Sequence, residues 1–345
     1  MIQTPQFGIQ SVASYFESLT GPQGPGPYQG MPIQQTPEFK AMVAQGMDPA
    51  TPVHLLGWVD DFPSRTGLAA TFLRPLAQVA PRLMAAPAAD NVYLYKAWKD
   101  ALGSYPGYVA QQIGDCTSFG SGHAIDLLQC VEIVIGKEPT AYKEVCTEAI
   151  YGMGREIAGM LGGGDGCYGV AVAKALTDYG ATTREKVGPY SGRRAKEWGG
   201  RGGVPANVKQ DMSAFKVKAS ALITTLDELD ASLTNGYPSA GGFSQGFTMT
   251  RDTDGMCRQS GRWGHEVCCI GKRVRAGQRE YCLGQSWGPN VPSGPLVDDM
   301  PDFSFWINSQ SMASILSQQD WLTFSGAPDF ETRPLPASWS YEAYI

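Results

Sequence analysis

The chain has 345 residues, 43% hydrophobic and 17% charged, with 27 Lys and Arg against 33 Asp and Glu. A net charge of −6 argues against a surface built to hold nucleic acid through its phosphates. No stretch approaches the roughly 18 consecutive apolar residues that a membrane helix needs.

At about 150 residues per domain, the length sets a prior of about two domains. Gly 42 and Pro 24 indicate many loops but stay below the roughly 25–30% typical of low-complexity chains. The start, Met1-Ile2-Gln3-Thr4-Pro5-Gln6, lacks the basic and apolar regions of a secretory signal, so a cytoplasmic location is expected. The eight cysteines run from Cys116 to Cys282 without a CxxC pair. Neither a zinc site nor a disulfide framework is expected, nor any other metal or cofactor. Most of the cysteines read as buried, reduced thiols.

Residues 1 to about 50 lack the pattern of a packed domain. Gly21-Pro22-Gln23-Gly24-Pro25-Gly26-Pro27 disfavours both helix and ladder, and only Ser11 to Leu19 reads as a short amphipathic helix. Leu73, Leu76, Val79 and Leu83 have helical spacing that Pro75 and Pro81 break or kink. Residues Ala85 to Asp90 read as a linker. Helices are predicted from Cys116 to about Ile135, from Pro139 to Ile157, and from Val170 to Tyr179, the last stopped by Gly180. Gly162 to Gly166 is a loop. Strands are predicted over Ala219–Ile223, Gly241–Met249, Glu266–Ile270, Glu280–Gln285 and Asp302–Ile307, with a short helix over Thr225–Thr234. The last 20 residues read as a tail with an aromatic tip. Helices first and strands later predict an α+β fold, divided as a leader 1–90, a domain 91–325 and a tail 326–345.

Histidine is scarce, so catalytic options are few. His54 lies in the Pro-rich leader with no expected role. His123 is seven residues beyond Cys116 on one helix, roughly 10 Å away, and reads as a structural residue. His265 opens a strand between Gly264 and Glu266. Gly284-Gln285-Ser286-Trp287-Gly288 matches GxSxG, but no histidine follows Ser286, and Pro289, Pro292 and Pro295 oppose the helix that a nucleophile elbow needs. Gly162 to Gly166 lacks the Lys of a phosphate-binding loop, and Asp252-Thr253-Asp254-Gly255 reads as a turn rather than a calcium loop.

The stretch Gln111-Gln112-Ile113-Gly114-Asp115-Cys116-Thr117-Ser118-Phe119 places a cysteine at a helix start, where the partial positive charge favours thiolate and free N–H groups can bind an oxyanion. His265 follows 149 residues later, within the spacing of about 130–150 expected for such a pair. This stretch resembles the nucleophile segment of the papain-like cysteine peptidases. Three further stretches resemble that family in order: Gly166-Cys167-Tyr168-Gly169-Val170, with Pro189-Tyr190 after it; Gly264-His265-Glu266-Val267; and Tyr281 to Gly288, where Gln285 stands for the family's usual Asn. The resemblance covers residues 93–310, includes Phe305-Trp306-Ile307 as a closing strand, and extends to divergent members seen in bacteriophage and environmental bacterial genomes.

The resemblance implies a two-lobed papain-like fold acting on a peptide or protein substrate. It makes Cys116 the nucleophile and His265 its partner, with Gln285 orienting His265 and Trp287 shielding that contact. Gln111 or Gln112 would serve the oxyanion, and Gly169 and Val170 would pair with substrate main chain. Asp115 beside the nucleophile should raise its pKa unless the carboxylate points away. Ile113 replaces a half-cystine that usually pairs with the cysteine matching Cys167, so that bridge is not expected. Gln285 for Asn, the shortened oxyanion segment and Asp115 also motivate another class. In it the chain is an inactive papain-fold structural or binding protein, held by its N-terminal arm to neighbouring subunits of an assembly such as a phage virion. A propeptide role for residues 1–90 is disfavoured by the lack of the helical pattern common in papain propeptides.

Overall fold

The computed structural model describes residues 11–22, 26–86, 88–136, 141–213 and 215–340. The start Met1–Gln6, part of the Gly21–Pro27 run, Pro87, Pro139 and the last five residues lie outside the described residues.

The leader is more structured than its composition predicts. Helix α1 (Val12–Thr20) is capped by the Ser11 hydroxyl, which accepts from the Ser14 N–H, and α2 (Pro37–Ala44) is capped by Thr36 in the same way. Three further helices lead into the domain: α3 (Phe62–Phe72), α4 (Leu76–Val79) and α5 (Pro81–Ala85). Pro75 and Pro81 do divide the 68–84 pattern. They stand at helix starts, where the missing N–H is harmless, and Leu73, Leu76 and Leu83 are buried while Val79 is exposed.

The helical half follows with α6 (Lys96–Leu102), α7 (Cys116–Val134), α8 (Thr147–Ile157), α9 (Gly169–Asp178), α10 (Arg184–Val187), α11 (Gly192–Trp198) and α12 (Ala206–Met212). Residues 116–132 of α7 are buried all round, as expected of a central helix. The helix expected from Pro139 begins only at Thr147. Residues 141–146 are not helical; there the Val145 N–H donates to the Asp126 carboxylate and the Cys146 N–H to the Thr182 carbonyl. Gly180 ends α9 with a φ of 93°, as its position after the helix predicted.

The sheet half contains β1 (Ala219–Leu222), α13 (Leu226–Thr234), β2 (Ser239–Phe247), β3 (Gln259–Arg275), β4 (Gln278–Gly284), β5 (Ser304–Asn308), α14 (Ser309–Leu316) and β6 (Trp321–Ser325). The antiparallel order is β1-β6-β2-β3-β4-β5. Phe305–Ile307 lies in an edge strand, and the chain then returns through α14 to insert β6 between β1 and β2. The sequence reading missed both α14 and β6. One large apolar cluster joins α7 to the sheet and includes Val12, Phe16, Phe39, Leu56 and Trp58 of the leader. A smaller cluster around Cys146, Met153, Trp198 and Met212 fills the helical half.

The tail is not free. Trp339 is buried, donates its indole N–H to Asp100 at 2.7 Å, and accepts from the Tyr93 N–H through its carbonyl. All eight cysteines are free and buried. Among the described residues, no helix is long and apolar enough to cross a membrane, and no group of His, Cys, Asp or Glu could hold a metal ion.

Candidate active site

Cys116 is the first residue of α7, and His265 lies on β3, inside the sheet and opposite Phe243 of β2. Both are buried. Burial is the main influence pushing the Cys116 thiol up, and the Glu266 charge adds to it. Backbone hydrogen bonds from Glu266 and Gly57 act in the opposite direction. Burial alone pulls His265 down to about 3. Both groups are therefore held neutral, and no hydrogen bond joins them.

Gly57 belongs to the leader. Residues 56–59 run between the helical half and the sheet. The Cys167 N–H donates to the Gly57 carbonyl at 2.9 Å, the Val59 N–H to the Cys167 carbonyl at 2.8 Å, and the Trp58 N–H to the Gly264 carbonyl at 3.1 Å. The leader is thus added in parallel pairing beside residue 167. A Cβ on Gly57 would lie 1.9 Å from the Gly114 carbonyl oxygen, so this approach requires glycine.

The two candidate oxyanion glutamines part company. Gln111 donates its amide N–H groups to the Leu55 carbonyl at 2.8 Å and the Ile113 carbonyl at 2.7 Å, and accepts from the Ser286 hydroxyl. Gln112 turns away and accepts from the Gly192 N–H at 2.9 Å. Asp115 is buried and accepts from the Tyr190 hydroxyl at 2.9 Å, yet its charge still contributes to raising the Cys116 pKa.

The Gln285–His265 hydrogen bond is not made in this structure. The Gln285 amide donates to the Val291 carbonyl and accepts from the Trp287 N–H at 2.7 Å. Neither ring nitrogen of His265 has a hydrogen-bond partner among the described residues. Trp287 does cover the imidazole, with ring centroids 4.3 Å apart. Gly169 and Val170 open α9 and donate their N–H groups to Asp320, each at 2.8 Å, so the pairing with extended main chain falls to Cys167.

His123 stacks on Tyr108 with ring centroids 3.7 Å apart, and burial pulls its pKa down to about 3, in keeping with a structural role. Ser286 follows β4 without a helix after it. Asp252 accepts from the Asp254 and Met256 N–H groups within a turn.

Sequence reasoning missed Leu55, Gly57 and Trp58 in the leader and the buried carboxylates of Glu266 and Asp320. The apolar run Leu55-Leu56-Gly57-Trp58-Val59 inside a polar leader, and a glutamate in an apolar strand, were the available signals.

No family model and no curated relative matches the chain. Solved structures do. Xylellain, a cysteine protease from Xylella fastidiosa, is 20% identical with a TM-score of 0.53, covering 74% of this chain and 91% of its own. Procathepsin B S9 from Trypanosoma congolense is 12% identical with a TM-score of 0.51, covering 86% and 99%. The chain has the papain-like fold. A third similar structure, the ragweed pollen allergen Amb a 11 cysteine protease in its proform, is 15% identical with a TM-score of 0.50, covering 84% and 89%.

Proposed function

We propose that this chain is a papain-type cysteine peptidase held shut by its own leader. The observation that carries the reading is the occupation of the cleft. Leader residues 55–59 engage Gln111 and the Cys167 backbone, groups that would recognise a peptide. The Gly57 backbone acts on the Cys116 thiol in the direction of thiolate. Two of the similar structures are proforms by name, which supports the same arrangement here.

With the leader withdrawn, Cys116 would attack a substrate carbonyl, and His265 would take the thiol proton and pass it to the leaving amine. The Cys116 N–H and Gln111 would hold the oxyanion, Gln111 being favoured over Gln112 by its place beside the Leu55 carbonyl. Gln285 would release Val291 and orient His265 under Trp287. Gly169 and Val170 would line the substrate groove beside Cys167. Each of these steps is carried by side chains and backbone of the chain itself.

The unmade Gln285–His265 contact favours a second reading, a papain-fold binding module without activity in a larger assembly. After the leader is displaced, a thiol alkylator should label Cys116 before the other cysteines, and Cys116→Ala should abolish peptide hydrolysis. Full hydrolysis with Cys116 unlabelled would overturn the mechanism, and labelling without hydrolysis would select the binding module.

A further inference from the structure

The Trp58 indole is buried against Gly242 of β2. A Cβ on Gly242 would lie 1.8 Å from its Cδ1, so the glycine wall gives the ring its room. At the far end the indole N–H donates to Asp320 at 2.6 Å. A Cβ on Gly169 would fall 2.8 Å from Glu266 Oε2 and 3.2 Å from Asp320 Oδ1, so two buried carboxylates converge on one spot. Glu266 Oε1 accepts from the Ser121 hydroxyl, while Oε2 has no partner among the described residues. The cation acting on Asp320 is Arg65, whose guanidinium lies 5.2 Å from the Trp58 ring centroid.

Trp58 and Arg65 both belong to the leader. When the leader leaves, Asp320 loses an N–H donor and a positive charge together, beside a Glu266 oxygen that already lacks a partner among the described residues. A replacement must supply both. An apolar side chain would restore neither, leaving Asp320 only the Gly169 and Val170 N–H groups and Glu266 only the Ser121 hydroxyl, and an acidic one would add a third like charge. Arginine brings a planar cation with five N–H donors to a space that accommodates a flat indole. We propose that Asp320 and Glu266 make this pocket select a basic substrate side chain, arginine above all, in the place of Trp58. The inference rests on the peptidase reading for its substrate but concerns binding in the pocket.

The test uses the full chain carrying Trp58→Ala, with Gly57→Ala added if iodoacetamide shows Cys116 still shielded. Cys116 labelling by peptidyl acyloxymethyl ketones with Arg, Leu or Glu at the pocket position is followed by intact mass, each rate divided by that variant's iodoacetamide rate. Arg should exceed Leu by at least about tenfold, and the ratio should fall to about threefold or less in Glu266→Gln and Asp320→Asn. Equal rates for Arg and Leu overturn the pocket assignment and leave the peptidase reading standing. If iodoacetamide labels Cys116 but no ketone does, the peptidase reading fails, and thermal shift decides the pocket. A higher melting temperature with N-acetyl-arginine amide than with N-acetyl-leucine amide, lost in Glu266→Gln, supports it; equal shifts overturn it.

Discussion

A methyl group at residue 57 has no space. Its 1.9 Å approach to the Gly114 carbonyl oxygen is backbone against backbone, so no side-chain rotation relieves it. Gly57→Ala should weaken leader anchoring by about 1–3 kcal/mol. Iodoacetamide labelling of Cys116 should then accelerate by about five- to 150-fold, since about 1.4 kcal/mol is a factor of ten. An unchanged rate would mean that the leader does not govern access. His123 supports a pH prediction. Its pKa is about 3 in the fold and near 6.5 unfolded, so between these values the unfolded chain binds the extra proton and stability falls as pH falls. His123→Phe should lose less stability between pH 7 and 4 than the parent, by up to about 1.4 kcal/mol per pH unit, measured by urea unfolding. Cys116 and His265 stood out as candidates because each sits in a patterned stretch, one at a helix start and the other at the head of a strand with histidine scarce in the chain. The Glu266–Asp320 pair did not, because only sheet topology brings residues 54 positions apart to one pocket.

At the scale of elements, local chemistry explains both what could be read and what could not. Thr225 and Glu228 form a reciprocal capping box, which marks the start of α13. The residues before Thr147 lack such a start signal, and tertiary bonds to Asp126 and Thr182 keep them out of the helix. The aromatic tail illustrates the same limit, since composition does not reveal that Trp339 docks between the domain's own elements. It is fully buried and its N–H is paired with Asp100. Trp339→Ala should therefore lower stability by about 3–5 kcal/mol, read by denaturant midpoint at constant slope. A loss below about 1 kcal/mol would show that the tail contributes no packing.

For the whole molecule, the decisive property is that leader and domain share one apolar cluster. Val12, Phe16, Phe39, Leu56 and Trp58 lie in it with residues of α7 and β3, so lifting the leader exposes core. Each large side chain contributes roughly 1.5–3 kcal/mol on burial, and the bonds of Trp58 N–H to Gly264 and Val59 N–H to Cys167 must break at the same time. Opening is then a sub-global event rather than the flicker of a surface flap. The Trp58 and Val59 amides should exchange with solvent hydrogen at least about 10³-fold more slowly than free amides, which corresponds to about 4 kcal/mol of opening free energy. Gly57→Ala should speed exchange at both amides while the central β3 amides keep their protection. Rapid exchange at residues 58 and 59 in the parent chain, against slow exchange in β3, would show a loosely held flap, and the cleft would then be shut too weakly for the leader to control it.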